Sequence, residues 1–161
     1  MRIGFGFDTH RLEEGRDLRL GGITIPHSKG SLGHSDADVL IHAIIDALLG
    51  AAGLPDIGNQ FPDNDDQYKG IDSRILLQKT LAMINAKGYS IGNIDTTIVL
   101  QRPKIHEFIP IMIQTLADIL RIDEDQLSIK AKTSEKLGFI GREEGISAYA
   151  TVLLEKITDG R

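Results

Sequence analysis

The chain has 161 residues, a formal net charge of −5 at pH 7 and no cysteine. A hydrophobic content of 41% and a charged content of 25% are ordinary for a globular protein, so we treat residues 1–161 as a single domain. The lack of cysteine excludes disulfides and thiolate metal sites, and the acidic charge argues against binding to nucleic acid. The first residues follow a strand pattern rather than a signal peptide, and no apolar run approaches the roughly 20 residues of a membrane span. We therefore expect a cytoplasmic protein without a membrane partner.

Three elements are predicted in the first third of the chain. Residues 1–9 alternate apolar and small side chains, as in a strand whose apolar residues share one face. Residues 18–26 are typical of a hairpin that turns at Gly21 and Gly22. Residues 36–53 are apolar around almost the whole helical wheel, which predicts a buried helix.

The remainder of the chain continues an α+β pattern. Residues 54–71 are rich in Asp, Gly, Pro and Asn and predict a long loop, which in a compact domain is usually functional or disordered. Residues 72–87 predict an amphipathic helix that ends at Gly88. The elements expected after it, in chain order, are a strand at 94–101, a helix at 105–121, and strands at 127–133 and 145–155.

A metal site is indicated by three polar residues in two of these elements. Asp8 and His10 end the first strand and lie two residues apart, so that their side chains point to the same face. The buried helix can bring His42 to the same point. One carboxylate and two imidazoles suit Zn²⁺ and leave a fourth position for substrate or water. The alternatives are that Asp8 and His10 are exposed strand-end residues and that His42 is a satisfied core histidine.

Two acids, Asp38 and Asp46, lie one turn either side of His42 on the same face of the helix. A metal-bound histidine usually donates its second ring N–H to a carboxylate or a carbonyl group. We therefore predict that Asp46 accepts this hydrogen bond from His42. The alternative is a pair of acids on the helix surface.

The segment that opens this helix has two competing interpretations. Ser35, followed three residues later by Asp38, is typical of a helix cap. In the functional interpretation, His34 and Ser35 hold a phosphate near the positive end of the helix. Both interpretations need the Ser35 hydroxyl, and the sequence alone does not decide between them.

Two further segments carry groups that suit a phosphorylated substrate. In residues 54–63, two carboxylates could bind hydroxyl groups while Phe61 covers an apolar patch; the alternative is an ordinary turn. In residues 130–139, lysines and hydroxyls suit a diphosphate, and Glu135 suits a second, hard divalent ion; the alternative is a solvated loop. Phe139 and Arg142 then place an aromatic ring near a guanidinium, unless they are only a core anchor beside a surface arginine.

Several of these motifs occur together, in the same order, in one enzyme family. Over residues 1–157 the chain resembles the 2-C-methyl-D-erythritol 2,4-cyclodiphosphate synthases of the non-mevalonate isoprenoid pathway. The motifs that carry the resemblance are Gly6 to His10, His34 to Val39, His42-Ala43, Asp46 to Ala51, Asp56 to Gly58, Phe61 to Asp63 and Thr133 to Arg142.

The resemblance implies a homotrimer of ferredoxin-like α+β subunits, each with a mixed sheet and helices on one face, and active sites at the subunit interfaces. It matches Asp8, His10 and His42 to zinc ligands and Glu135 to the ligand of a second divalent cation, Mg²⁺ or Mn²⁺. The residues matched to the methylerythritol phosphate pocket are His34, Ser35, Asp56, Ile57, Gly58, Phe61 and Asp63. Those matched to the cytidine diphosphate side, from the neighbouring subunit, are Leu100, Pro103, Lys104, Ile105, His106, Ala131, Lys132, Thr133, Ser134 and Glu135.

Two residues depart from the family pattern, and three more are matched to a separate feature. Lys132 stands where some relatives have threonine, and His106 stands where an aliphatic residue is expected. The resemblance matches Phe7, Phe139 and Arg142 to the lining of an apolar channel on the threefold axis, where some relatives bind a prenyl diphosphate.

The reaction implied is that of a cyclising phosphorus–oxygen lyase, with His34 and Thr133 among the catalytic residues. The enzyme would convert 4-diphosphocytidyl-2-C-methyl-D-erythritol 2-phosphate, a cytidine-diphosphate-linked substrate, into the cyclic 2,4-diphosphate and CMP. We retain two alternatives. One is a zinc hydrolase that cleaves a nucleoside diphosphate with metal-bound water. The other is a non-enzymatic trimer that binds a metal or carries a ligand.

Overall fold

The computed structural model describes residues 1–157, which fold around one mixed sheet. The strands are β1 (Arg2–Glu14), β2 (Leu18–Leu20), β3 (Ile23–Ile25), β4 (Lys29–Leu32), β5 (Tyr89–Val99), β6 (Leu127–Lys132) and β7 (Gly145–Lys156). The helices are α1 (Val39–Ala51), α2 (Ile57–Gln60), α3 (Ser73–Ala86), α4 (Ile109–Leu120) and α5 (Gly138–Gly141). Short 3₁₀ turns span Asp66–Tyr68, His106–Phe108 and Glu124–Gln126.

The main sheet has the strand order β4-β1-β7-β5-β6, and β2 and β3 form a separate hairpin. β7 runs antiparallel to both of its neighbours, with Asp8 opposite Ala148, whereas β5 and β6 are parallel. The predicted mixed sheet is therefore confirmed. The predicted ferredoxin-like topology is wrong. The larger elements follow each other as β1-α1-α3-β5-α4-β6-β7, so the two strands without a long helix between them come last, whereas in the order β–α–β–β–α–β they lie in the middle. The last strand lies between β1 and β5, and the crossover through α4 lets β6 run parallel to β5.

One face of the sheet is covered by helices. α1 packs on β1 and β7, α3 on β5, and α4 on β6. Two glycines of β1 let α1 approach closely: a Cβ on Gly4 would lie 1.8 Å from the carbonyl oxygen of Ala47, and one on Gly6 would lie 1.9 Å from that of Ala43. Helix and strand are thus almost in backbone contact, and this contact sets the position of His42 relative to Asp8 and His10, which lie within β1 and not at its end as predicted.

The other face of the sheet is uncovered in the single chain. Ile3, Phe5 and Phe7 share that face, as the alternation in residues 1–9 predicts, and are 74%, 65% and 48% exposed. Tyr149 of β7 joins them, with its ring centroid 5.2 Å from that of Phe7. Together they form a continuous apolar surface, which is unusual on an isolated globular domain. Within residues 1–157, no helix has the length and apolar character that a membrane crossing requires.

The hairpin and the start of α1 are joined by one buried carboxylate. Gly21 and Gly22 both have positive φ, of 60° and 79°, as a two-glycine hairpin turn requires, which confirms the predicted hairpin. Asp38 accepts hydrogen bonds from the N–H groups of Gly21 (3.0 Å), Gly22 (2.7 Å) and Ile41 (3.1 Å). Asp38, and not Ser35, therefore caps α1, which begins at Val39 and not at residue 36. The capping interpretation of Ser35 is corrected, because Asp38 is closer to the first helical N–H groups.

Candidate functional site

The side chains of Asp8, His10 and His42 meet at one point between β1 and α1. Asp8 Oδ2 lies 2.9 Å from His10 Nε2 and 3.0 Å from His42 Nδ1, and the two ring nitrogens lie 3.2 Å apart. The side chains are 27%, 16% and 12% exposed, so the cluster is largely shielded yet open on one side. The structure thus brings the three predicted ligands together.

Each imidazole has a partner on the ring nitrogen that faces away from this point. His10 Nδ1 lies 3.1 Å from the carbonyl oxygen of Leu32, which can only accept, so Nδ1 carries the proton and Nε2 presents its lone pair. His42 Nε2 lies 2.9 Å from the hydroxyl of Ser73 and 3.1 Å from that of Ser35. With the proton on Nε2, the Nδ1 lone pair of His42 faces the same point as His10 and Asp8.

In the ion-free cluster, Asp8 draws protons to the inward ring nitrogens, the same atoms whose lone pairs would bind a metal. Burial raises the pKa of Asp8, but hydrogen bonds with His10 and His42 lower it more, so the pKa lies well below its usual range. Burial lowers the pKa of His10, but the hydrogen bond and charge of Asp8 raise it more, and the net shift is upward. Without an ion, Asp8 therefore stays ionised and favours a proton on His10.

A divalent metal ion fits the donor set. Metal–ligand bonds of about 2.0–2.1 Å in a tetrahedron place the ligand atoms about 3.3 Å apart, close to the separations observed here. One anionic oxygen and two nitrogen lone pairs aimed at one point form a set that a cation stabilises. Within residues 1–157, this is the one group of three or more such side chains close enough to share an ion.

Asp46 does not have the partner that the sequence predicts. Its Oδ1 accepts a hydrogen bond from the backbone N–H of Ile57, at 2.8 Å, and this ties α1 to the start of α2. Burial raises the pKa of Asp46, which the Ile57 N–H partly offsets. The place predicted for Asp46 is taken by Ser73, at the start of α3, and by Ser35, in the segment before α1, because both approach the outer nitrogen of His42. No periodic pattern in the sequence indicates Ser73, which lies 31 residues farther along the chain.

A cleft of about 190 Å³ opens beside the three ligands. Every residue matched to the methylerythritol pocket lines it except Asp56, which caps α2 through the N–H of Asn59 at 2.9 Å. Nε2 of His34 is buried and has no hydrogen-bond partner among residues 1–157, so a polar group of a ligand could bind it. Sequence reasoning missed three lining residues, Tyr68, Ile71 and Leu76. Tyr68 packs edge-on against Phe61, but in the sequence it falls in a loop without periodicity.

A second cleft, of about 470 Å³, lies between β6 and the segment that follows β5. It is lined by most residues matched to the cytidine side, namely Leu100, Pro103, Lys104, Ile105, His106, Ala131, Lys132 and Thr133, together with Ile109, Ile129 and Lys130. Ser134 and Glu135 continue beyond the lining, and Thr133 Oγ1 donates to Glu135 Oε1 at 3.3 Å. The two clefts share no lining residue.

The comparisons with known proteins agree with this geometry. The model of the YgbB family matches residues 1–155 of the chain. A curated relative from Bacteroides fragilis, named 2-C-methyl-D-erythritol 2,4-cyclodiphosphate synthase, is 64% identical over 157 residues, which are 98% of this chain and 99% of the relative. The chain belongs to the YgbB family.

Two solved structures place this YgbB-family chain among known folds. A 2C-methyl-D-erythritol-2,4-cyclodiphosphate synthase in a CDP-bound form is 40% identical with a TM-score of 0.89, covering 96% of this chain and 100% of that one. The bifunctional IspDF from Campylobacter jejuni is 42% identical with a TM-score of 0.93. The match to IspDF covers 96% of this chain and 42% of that longer one. The resemblance drawn from the sequence motifs is confirmed.

The three residues matched to a channel are placed around the end of β1 in this YgbB-family chain. Phe7 lies on the open sheet face. Phe139 lines a small cavity with Thr9 and lies so close to Gly145 that a Cβ there would be 2.8 Å from its ring. Arg142 is exposed, and its Nε pairs with Glu144 at 3.0 Å. This exposed ion pair partly offsets the charge of Arg142.

Proposed function

We propose that the chain converts 4-diphosphocytidyl-2-C-methyl-D-erythritol 2-phosphate into 2-C-methyl-D-erythritol 2,4-cyclodiphosphate and CMP, a step in isoprenoid precursor synthesis. The observation that carries this proposal is the meeting of Asp8, His10 and His42 at the mouth of a cleft whose lining matches the family's substrate pocket. Family membership and relatives named for this activity support it.

We further propose that Asp8, His10 and His42 hold zinc and that Glu135 contributes to a second site for Mg²⁺ or Mn²⁺. Nitrogen-rich sites with an open position suit Zn²⁺, whereas a carboxylate beside phosphates suits a hard ion. Divalent ions held there would neutralise phosphate oxygens, which otherwise repel each other. Glu135 is exposed and follows the second cleft, and its backbone has a positive φ of 54°. Its carboxylate is therefore accessible to an ion that a substrate brings.

The reaction requires the two ends of one molecule to meet. An oxygen of the 2-phosphate forms a bond to the β-phosphorus, while the bond from that phosphorus to the bridging oxygen breaks and its electron pair leaves with CMP. The residues need to supply position and charge, and no covalent enzyme intermediate is required. His34 has a buried ring nitrogen available at the first cleft, and Thr133 offers a hydroxyl at the second. We propose that these groups hold the reacting phosphates, while Lys104 and Lys132 balance the charge of the diphosphate.

We propose a homotrimer, as the family resemblance implies, because the residues matched to the two ends of the substrate line two clefts that share no residue. The metal ligands lie on β1 and α1, whereas the second cleft lies beside β5 and β6, and β7 separates the two parts of the sheet. The open apolar face formed by Ile3, Phe5 and Phe7 supports association through the sheet. Binding of a prenyl diphosphate by Phe7, Phe139 and Arg142 stays a prediction.

The test of the activity is product analysis in ¹⁸O-labelled water. The purified protein, supplied with zinc and magnesium, is incubated with the substrate, and products are identified by ³¹P NMR and mass spectrometry. We expect the cyclic diphosphate and CMP without ¹⁸O, because the attacking oxygen comes from the substrate. Linear products that contain ¹⁸O would establish the zinc hydrolase instead. A folded, metal-loaded protein without turnover would support the non-enzymatic alternative.

A further inference from the structure

The outer ring nitrogen of His42 lies against two serine hydroxyls, one buried and one partly exposed. Ser73 Oγ is 2.9 Å from Nε2, and Ser35 Oγ is 3.1 Å from it. Ser73 is fully buried at the first turn of α3, and Ser35 is partly exposed at the cleft. Whether these hydroxyls donate to the ring or accept from it decides which nitrogen of His42 is free for a metal.

The hydroxyl proton of Ser73 is committed to Asp36. Ser73 Oγ donates to Asp36 Oδ1, and the backbone N–H of Ser73 donates to Asp36 Oδ2 at 3.0 Å. Asp36 is itself held by the N–H of Asp38, at 3.2 Å, and by Arg19, whose Nε is 3.8 Å from Oδ2. Because an ionised carboxylate only accepts, the Ser73 proton points away from His42. Ser73 can then only accept from Nε2, so it favours a ring proton there. Asp8 Oδ2, 3.0 Å from Nδ1, favours a proton on the other nitrogen only while no cation lies between them.

The hydroxyl of Ser35 does not determine which ring nitrogen of His42 carries the proton. Within residues 1–157 it contacts the ring of His42 and accepts weakly from the N–H of Ala37, at 3.3 Å. Its own proton has no carboxylate acceptor in these contacts, so Ser35 can donate to Nε2 or accept from it. Ser35 is therefore free to turn toward a ligand in the cleft, whereas Ser73 is not.

We propose that Asp36 and Ser73 are positioning residues that keep His42 in the tautomer with a free Nδ1 and thereby raise the affinity of the site for its metal. Neither residue touches the metal position; both act through the ring of His42. The inference rests on the proposed metal site and adds the residues that orient one of its ligands. Hydrogen bonds of this kind to metal-binding histidines are worth roughly 10–100-fold in metal affinity.

The test compares Ser73→Ala with Ser35→Ala, which removes a hydroxyl at a similar distance from the same nitrogen. Zinc affinity of the stripped proteins is measured by competition with a chromophoric chelator. The tautomer of His42 is read from ring ¹⁵N shifts in the zinc-loaded protein, which show which ring nitrogen carries the proton and which one faces the metal. We expect Ser73→Ala to lose roughly 10–100-fold in affinity and to mix the two tautomers. Ser35→Ala should keep the Nε2–H tautomer and lose clearly less affinity.

A second variant guards against a folding defect in Ser73→Ala. Asp36→Asn keeps the Ser73 hydroxyl but binds its proton more weakly, because a neutral acceptor replaces a charged one. It should shift the tautomer and the affinity in the same direction as Ser73→Ala. Unchanged tautomer and affinity in the folded variants would overturn the proposal. If instead the unmodified protein binds no zinc, or His10→Ala binds it equally well, the metal site itself is wrong.

Discussion

At the scale of single residues, the lone pairs of Asp8, His10 and His42 are forced together by β1 and α1. The separations of 2.9–3.2 Å among their ligand atoms cost electrostatic energy unless a proton or a cation lies between them. The upward shift in the pKa of His10 is the response of the ion-free cluster to that crowding. A metal ion replaces the proton and satisfies all three ligands at once.

His42→Ala should therefore remove zinc without unfolding the chain. We expect about one zinc per subunit in the unmodified protein and loss of both tight zinc binding and turnover in the variant, because two ligands remain of three. Elemental analysis after dialysis, with circular dichroism as the control for folding, measures this. Full zinc occupancy in folded His42→Ala would contradict the assignment.

Asp46→Asn should affect the cleft rather than the metal. Its Oδ1 accepts from the N–H of Ile57, and Ile57 and Gly58 line the cleft. We expect KM to rise while zinc affinity falls by less than the roughly 10-fold that loss of a histidine partner costs. A larger loss of zinc affinity, measured with the same chelator, would restore Asp46 to the role that the sequence predicts.

The ligands of the site could be predicted from the sequence, but their partners could not. Residues two apart in a strand point to the same face, so the pairing of Asp8 and His10 could be predicted. Ser73 follows Asp72, which caps α3, and its sequence context is that of an ordinary first helical turn. Its contact with His42 arises from the packing of α3 against α1, which local pattern does not encode.

At the scale of elements, Asp38 joins the β2–β3 turn to α1. Its carboxylate accepts hydrogen bonds from three buried backbone N–H groups. Asp38→Ala should lower the free energy of unfolding by about 2–5 kcal/mol, since it removes a helix cap and leaves buried N–H groups without partners. Asp72→Ala, which removes the partly exposed cap of α3, should cost only about 0.5–2 kcal/mol. Urea denaturation of both variants measures this, and equal costs would contradict the bridging role of Asp38.

Element types followed from periodicity, whereas their arrangement did not. The two glycines of the hairpin and the all-apolar helix have direct physical signatures, and both elements form as predicted. The start of α1 was misplaced because Ser35 and Asp38 are both good caps, and only the turn at Gly21 and Gly22 decides between them. The insertion of β7 between β1 and β5 depends on long-range pairing, which with β1 spans more than a hundred residues, and no local pattern reports it.

At the scale of the whole molecule, the open sheet face is the surface that needs a partner. Phe5 is 65% exposed in the single chain, so Phe5→Asp should leave the subunit folded but break the proposed trimer. Ile75→Asp, at a 43% exposed position on α3, is the matched control and should leave assembly unchanged. Analytical ultracentrifugation with circular dichroism measures both. A stable trimer of Phe5→Asp would show that assembly uses another surface.

The central claim is that the metal-bearing cleft of one subunit and the cytidine-side cleft of the next form one active site. His42→Ala damages the first cleft and Glu135→Ala the second. Trimers that contain both kinds of subunit, isolated with two affinity tags, have one interface in three that pairs two intact clefts. Their turnover should recover to about one third of that of the unmodified trimer. Mixed trimers of His42→Ala and His10→Ala, which damage the same cleft, should stay inactive. Without recovery in verified His42→Ala and Glu135→Ala mixtures, the site would lie within a single chain and the account would be wrong.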